Sequence, residues 1–541
     1  MSTPARRALV SLSLFFATCA VGGSVMNSRV NAQSATDESV VRDSLHQFTD
    51  VYSVVQNNFA DKLDQEHVDK IIYDGAIPNM LHVLDPHSTF YDPKAYKQMR
   101  EDQQGRYFGV GMHIQPQLGK DGVQRVMVID TFDNSPAQKA GIRPGDAIVS
   151  IDDKSAEGMD SLMVSNLLKG DQGTHVKVTM LREGQDKPMV FDVVRDSIPR
   201  PSVDLAYFIR PGVGYIHVSS FMETTSHEVA DALHKFGPEM TGLVLDLRGN
   251  PGGLLNEAVA MSDQFLRKGD IVVSQKGRSF QDVVYRANHG EQGKRFPIIV
   301  LVNRNTASAA EIVSGALQDH DRALIVGETT FGKGLVQTVF QVADNTGLAL
   351  TTYHYYTPSG RLIQRDYNGV SLYDYYYVRK DAKPADKSNL EVKQTDSGRT
   401  VYGGGGITPD EKIESPRANA LQATLLTHGA FFDFMKKYLA HRTITKDFVV
   451  DDAVMNEFKS YLKSEKIDFT DADMNTNLVW VKSNIKRQLF ISQFGATEGF
   501  RVAMNEDPEI AKALTFMPEA IALEEGSAPG REVKTASIRS K

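Results

Sequence analysis

The sequence predicts a multidomain α+β protein, and three observations carry that expectation. At 541 residues the chain exceeds the ~250–300 residues at which a single core stops growing. Between Tyr107 and Asp196 the apolar runs are short and broken by glycine turns, whereas from 198 to 415 strand-like and helix-like runs alternate, the pattern of a sheet covered by helices. Before and after these stretches, apolar residues recur at helical spacing.

Residues 1–32 read as a secretory signal. Arg6 and Arg7 precede an apolar run from Ala8 to Val21, and Val30-Asn31-Ala32 offers a small-residue cleavage site. The run is shorter than the ~20 apolar residues of a membrane span. A mature chain beginning at Gln33, outside the cytoplasm and in a bacterial periplasm, is therefore expected; an uncleaved signal would instead anchor it. Cys19 is the only cysteine, so the processed chain has neither a disulfide nor a thiol nucleophile. The signal also holds Arg6, Arg7 and Arg29 and no acid, which leaves the remainder more acidic than the formal −8 of the whole chain. With no basic block, nucleic acid is not an expected partner.

In residues 33–103, Val40, Val41, Leu45, Phe48, Val51, Tyr52 and Val55 fall three and four apart and predict a helical region packed on a neighbour. A β-domain is expected over 104–197, with Val126–Ile129 and Ala147–Ile151 as strands and Gly141 and Gly145 in turns. Within 198–415, strands are expected at 213–218, 242–247, 297–302 and 323–326. Helices are expected near 226–236, 254–266 and 307–318, with Gly403–Gly406 as the closing turn. Residues 416–523 read as helical again, with Phe431, Phe434, Met435 and Trp480 as core. The end, 524–541, has little to bury and is expected to be disordered.

Three segments of the 198–415 region can carry chemistry. Asp246-Leu247-Arg248-Gly249-Asn250-Pro251-Gly252-Gly253 is a strand end entering a turn of bare N–H groups that can hold an oxyanion, although Pro-Gly-Gly also makes ordinary turns. Asn303–Glu311 places Ser308 at a strand-to-helix junction among Ala307, Ala309 and Ala310; a serine there is either a nucleophile favoured by the helix N-terminus or an N-cap. Gly327–Gln337 sets Lys333 between two glycines amid Phe331, Leu335 and Val336. Lysine starts near ~10.4, so a base working at neutral pH needs burial to lower it by about 3, worth about 4 kcal/mol. Otherwise it is a surface lysine in a turn.

Taken together and in this order, the three segments resemble the carboxyl-terminal processing (tail-specific) proteases, serine peptidases that carry a PDZ domain. The resemblance spans residues 104–415. It implies a PDZ-like domain followed by an α/β protease core with crotonase- or Clp-like ββα layers. It also implies a Ser/Lys pair on Ser308 and Lys333, Gln337 orienting the lysine amine, and the N–H groups of Gly252 and Ala309 as oxyanion donors. The PDZ-like stretch implies capture of a peptide C-terminus by the loop Tyr107-Phe108-Gly109-Val110-Gly111 while the peptide adds a strand to the sheet edge. Protein or peptide substrates are the expected partners, with an adaptor protein and a homodimer as further ones; no cofactor or metal is expected. Two positions depart from the family pattern, Gly249 for a second asparagine and Ala310 for a serine, and neither removes a catalytic atom. Asp319, eleven residues beyond Ser308, would lie ~16 Å along the helix and is read as structural.

Rival readings have less support. No Gly-x-Ser-x-Gly elbow and no His-Glu-x-x-His run occurs, which disfavours a serine/histidine hydrolase and a zinc peptidase. From another class, a non-catalytic peptide-binding scaffold with a protease-like domain is the alternative to an endopeptidase of exported proteins.

Overall fold

The computed structural model describes residues 38–118, 123–185, 187–291, 295–342, 345–377 and 391–526. The expected signal at 1–32 and all but the first three residues of the expected disordered tail lie outside the described residues.

The chain begins with helix α1 (Glu38–Asn58), followed by shorter helices up to His82. The expectation of a mainly helical region over 33–103 does not include strand β1 (Thr89–Tyr91), which pairs antiparallel with residues 347–349 far along the chain. Three residues carry no periodicity of their own, and their partner lies some 250 positions away, so only the tertiary fold reveals them.

Next comes the small β-domain. Strand β2 (Arg106–Gly109) leads through Val110-Gly111 into β3 (Met112–Leu118), the edge of a sheet that continues through residues 124–131, 147–151, 175–181 and 189–194. Helix α2 (Ser161–Leu168) lies over this sheet; Asp160 accepts the Met163 N–H at 2.8 Å as its N-cap. Val126, Val128, Ile148, Val176, Val178 and Met180 point inward from the strands and Val164 from α2 to form the core. Strand β4 (Asp196–Pro199) pairs back onto β2.

The largest unit is a six-stranded sheet in the order 203–210, 213–218, β5 (Gly242–Asp246), β6 (Ile298–Val302), 324–327 and 411–412. From 213–218 onward all its pairings are parallel. Every residue of β5 and β6 is buried, as parallel strands covered on both faces must be. One face packs on helices 225–236 and 255–263 and on helix α3 (Ala309–Asp319). The opposite face is covered by the C-terminal helices, through Ile510, Ala513, Ala520 and Leu523. The C-terminal helical region thus divides: residues 421–490 form their own aromatic core around Phe431, Phe434 and Phe458, and the last helices complete the central one. A second sheet joins β1, 271–276, 283–286, β7 (Leu335–Gln341) and β8 (Gly347–Tyr356). Helix α4 (Leu372–Tyr377) follows.

Candidate active site

Ser308 stands between β6 and α3. It occupies the N-cap position, but with φ 54° and ψ −116°, whereas an N-cap normally takes the extended backbone that lets its side chain reach the N2 or N3 amide. This is a corner of backbone space that glycine occupies freely and a serine only under strain. The Glu311 N–H donates to the Ser308 carbonyl (2.8 Å), which also receives the Ile312 N–H (3.0 Å) and the Tyr355 hydroxyl (3.1 Å). Thr306 donates its hydroxyl to the Leu247 carbonyl at 2.8 Å and so ties the Ser308 loop to the end of β5.

The organising group is Glu311, which sequence reasoning left without a role. It is fully buried, and its carboxylate accepts four donors. Oε2 receives the N–H groups of Ser308 (2.8 Å) and Lys333 (2.9 Å), and Oε1 receives the Gly332 N–H (2.7 Å) and the Thr330 hydroxyl. Burial raises its pKa above the ordinary 4.5, against the pull of the four donors. The spacing Ser308-x-x-Glu311 is that of a capping box, the signal that could have found it.

Lys333 lies in the connection from 328 to 334, ahead of β7, and is 4% exposed, as Ser308 is 7%. That connection is braced on both sides: the Phe331 N–H donates to the Thr306 carbonyl (2.9 Å) and the Thr330 N–H to the Ile407 carbonyl (3.1 Å). A Cβ on Gly406 would come within 2.5 Å of the Thr330 carbonyl oxygen, so the Gly403–Gly406 turn supports the lysine loop directly. Gln337 is fully buried on β7, at a bulge after Val336. Its Nε2 donates to the Thr351 hydroxyl at 3.0 Å, and its Oε1 is buried without a hydrogen-bond partner.

Two expectations need correction. The Gly252 N–H is not free for an oxyanion, because it donates to Asn250 Oδ1 at 2.8 Å; Asn250 is buried and its Nδ2 donates to the Val218 carbonyl at 2.7 Å. What Gly252 supplies is closeness: a Cβ there would sit 2.8 Å from Ser308 Cβ and 2.9 Å from Ala309 N. The Ala309 N–H, first of α3, belongs to the helix-end amides that have no intrahelical partner. The second correction concerns Tyr107–Gly111, which is not one loop. Tyr107, Phe108 and Gly109 belong to β2 and pair with β4. Val110 is buried, with its carbonyl receiving the Ala137 N–H at 2.8 Å, so only Val110-Gly111 make the turn into β3.

Asp319 behaves as a structural residue. Its carboxylate takes Arg361 Nη2 at 2.6 Å and the Ser359 N–H at 2.9 Å, all within the core. Beside Ser308 lies a cavity of about 10 Å³, lined by Gly253, Leu255, Ala309, Ile312, Leu335 and Val336. That is room for about one water. Among the described residues no group of three or more His, Cys, Asp or Glu side chains is placed to hold a metal, and no helix is long and apolar enough to cross a membrane.

Residues 212–371 match the family described as "Peptidase family S41", residues 101–192 match "PDZ domain", and residues 421–472 match "Probable PDZ-protease, C-terminal helical domain". A carboxy-terminal-processing protease of Bartonella bacilliformis is 38% identical over 343 residues, 62% of this chain and 76% of that one. The carboxy-terminal processing protease CtpA of Bacillus subtilis is 36% identical over 318 residues, 58% of this chain and 65% of its own. Among solved structures, a photosystem II D1 C-terminal processing protease is 28% identical, covering 70% of this chain and 94% of that one with a TM-score of 0.34. The chain belongs to the S41 family of serine peptidases, with the carboxy-terminal processing proteases as its relatives.

Proposed function

We propose that the chain is an exported endopeptidase that acts on the C-terminal ends of proteins, with Ser308 as nucleophile and Lys333 as general base. The observation that supports this most is the shared Glu311 carboxylate, which draws the backbones of Ser308 and Lys333 onto one oxygen in a buried site. In the proposed reaction the Lys333 amine takes the Ser308 hydroxyl proton as Oγ bonds to the scissile carbonyl carbon. The resulting ammonium then gives that proton to the departing amine, and water attacks the acyl-enzyme by the same route. Gln337 Oε1 accepts an N–H of the amine. The Ala309 N–H faces the developing oxyanion, and Gly252 joins it only on leaving Asn250 Oδ1.

Substrate capture is assigned to the β-domain. Strand β3 is the edge of its sheet, and α2 beside it exposes Leu162 and Met163. A peptide adding as a strand on β3 would place its last side chains against α2 and its carboxylate near the Val110-Gly111 turn. We assign the mature chain, from Gln33, to an extracytoplasmic compartment. A second copy of the chain is the partner proposed for α1, whose Leu45, Phe48, Val51 and Val54 are exposed.

The test is covalent labelling. A serine-directed phosphonate incubated with the full chain should give a single adduct that peptide mass spectrometry places on Ser308. An adduct on another residue would overturn the assignment.

A further inference from the structure

The N-terminal segment before the β-domain is tied to Gln337 through Asp85, Ser88 and Thr351. Asp85 is buried and accepts the N–H groups of His87 (2.7 Å) and Ser88 (2.8 Å) on Oδ1, while Oδ2 receives the Ser88 hydroxyl at 2.6 Å. The pairing of β1 with β8, Thr89 opposite Ala349, sets Ser88 beside Thr351. Ser88 Oγ receives the Thr351 N–H at 3.1 Å and lies 3.5 Å from Thr351 Oγ1. Thr351 Oγ1 in turn receives Nε2 of Gln337, its cross-strand partner on β7.

Proton counting gives these contacts a direction. A hydroxyl has one proton to donate, and Ser88 commits its own to the Asp85 carboxylate, the shorter and charge-assisted bond. Toward Thr351, Ser88 Oγ is then an acceptor only, and what it accepts is the Thr351 N–H at 3.1 Å; at 3.5 Å the two hydroxyl oxygens stand beyond ordinary hydrogen-bond length. Thr351, held at its backbone by Ser88, accepts Nε2 of Gln337 on Oγ1 at 3.0 Å. The opposite end of the carboxamide, Oε1, is the buried oxygen that has no partner.

We infer that Ser88 and Thr351 are positioning residues for the general base: they lock the Gln337 carboxamide so that it offers the Lys333 amine an acceptor and never a donor. The inference rests on the Ser/Lys reading above. An amine that gives an N–H to Oε1 keeps its lone pair for the Ser308 proton. A flipped carboxamide would donate Nε2–H into that same lone pair and occupy it. Asp85 and Ser88 lie outside both the 101–192 and 212–371 matches, and through Thr351 the N-terminal segment supports Gln337 rather than only packing.

The experiment is steady-state cleavage of an unstructured protein by full-length Thr351→Val, Thr351→Ser, Ser88→Ala and Gln337→Ala, with thermal unfolding of each by circular dichroism. Thr351→Val keeps the volume and removes the hydroxyl. It should lower kcat by roughly ten- to a hundredfold, as supporting-shell changes do, with KM nearly constant. Thr351→Ser should restore the rate, Ser88→Ala should follow Thr351→Val, and the double variant Thr351→Val/Gln337→Ala should be no slower than Gln337→Ala alone. Wild-type kcat in Thr351→Val and Ser88→Ala beside an impaired Gln337→Ala would overturn this inference and leave the Ser/Lys reading standing. A wild-type Gln337→Ala would overturn the role of Gln337, and this inference with it. If Thr351→Val does not unfold cooperatively, Ser88→Ala against Thr351→Ser decides the matter by the same criterion.

Discussion

Ser308 and Lys333, twenty-five positions apart, donate their backbone N–H groups to the same oxygen, Glu311 Oε2, at 2.8 and 2.9 Å. One carboxylate therefore sets where the nucleophile's loop and the base's loop stand relative to each other. Moving either loop would strand a buried charge.

The first prediction follows from that dependence. Glu311→Gln replaces one acceptor oxygen by an NH₂ that faces donors, and at least one N–H loses its partner. Thermal denaturation should show a loss of about 1–3 kcal/mol, the cost of stranding a buried polar group, and peptide cleavage should fall with it. Unchanged stability and turnover would mean that the four donors do not depend on the charge.

Backbone strain at Ser308 separates stability from activity. With φ at 54° and ψ at −116°, Ser308→Gly should be more stable than Ser308→Ala by about 1–3 kcal/mol, since only glycine occupies this region freely. Neither variant should cleave substrate. Chemical denaturation of the pair decides the point, and equal midpoints would show that no strain is held there.

His87 supplies a pH-dependent term. Burial first, and the Lys333 and Arg365 charges second, hold its pKa well below the ordinary 6.5. Its ring is bonded to the Tyr375 and Tyr376 hydroxyls at 3.0 and 3.2 Å. The unfolded chain protonates this histidine near 6.5 and the folded chain does not, so stability is present above that value and lost as pH falls below it. The loss approaches about 1.4 kcal/mol per pH unit. Melting temperatures followed from about pH 7 to about pH 5 should therefore fall more steeply for the wild type than for His87→Gln. Parallel slopes would remove His87 as the cause.

Capture of a free C-terminus can be read without turnover. Inactive full-length Ser308→Ala should bind a peptide ending in an apolar residue and its free carboxylate more tightly than the same peptide amidated, in a titration by fluorescence anisotropy. Substituting Leu162 or Met163 on α2 by Asp should weaken binding of the free acid. Equal affinity for acid and amide would leave the β-domain as a spacer.

Much of the fold was legible because its signals are local. The buried runs at 242–247 and 297–302 and the alternation around them read directly as the parallel sheet, whereas the neighbours of Ser308 and Lys333 leave a cap and a surface lysine open and only the resemblance pairs the two. The features that escaped are those fixed by distant partners. Glu311 sat at capping-box spacing, but its second duty depends on a loop about twenty residues on. β1 is three residues long and visible only through β8. The resemblance implies an oxyanion role for the Gly252 N–H, and Asn250, two residues before it, takes that N–H through its side chain. The resemblance makes Tyr107–Gly111 a loop, yet β4, nearly ninety residues later, draws Tyr107–Gly109 into a strand. Asp85 and Ser88 gave no chemical signal alone; their meaning comes from Thr351.

Whether Ser308 and Lys333 act as one unit is decided by kcat/KM for cleavage of an unstructured protein by Ser308→Ala, Lys333→Ala and the double variant, with circular dichroism confirming that each is folded. Each single change should abolish cleavage, and the double variant should be no worse than either, because residues that work as a unit are not additive. A folded Lys333→Ala that cleaves at the wild-type rate would contradict it.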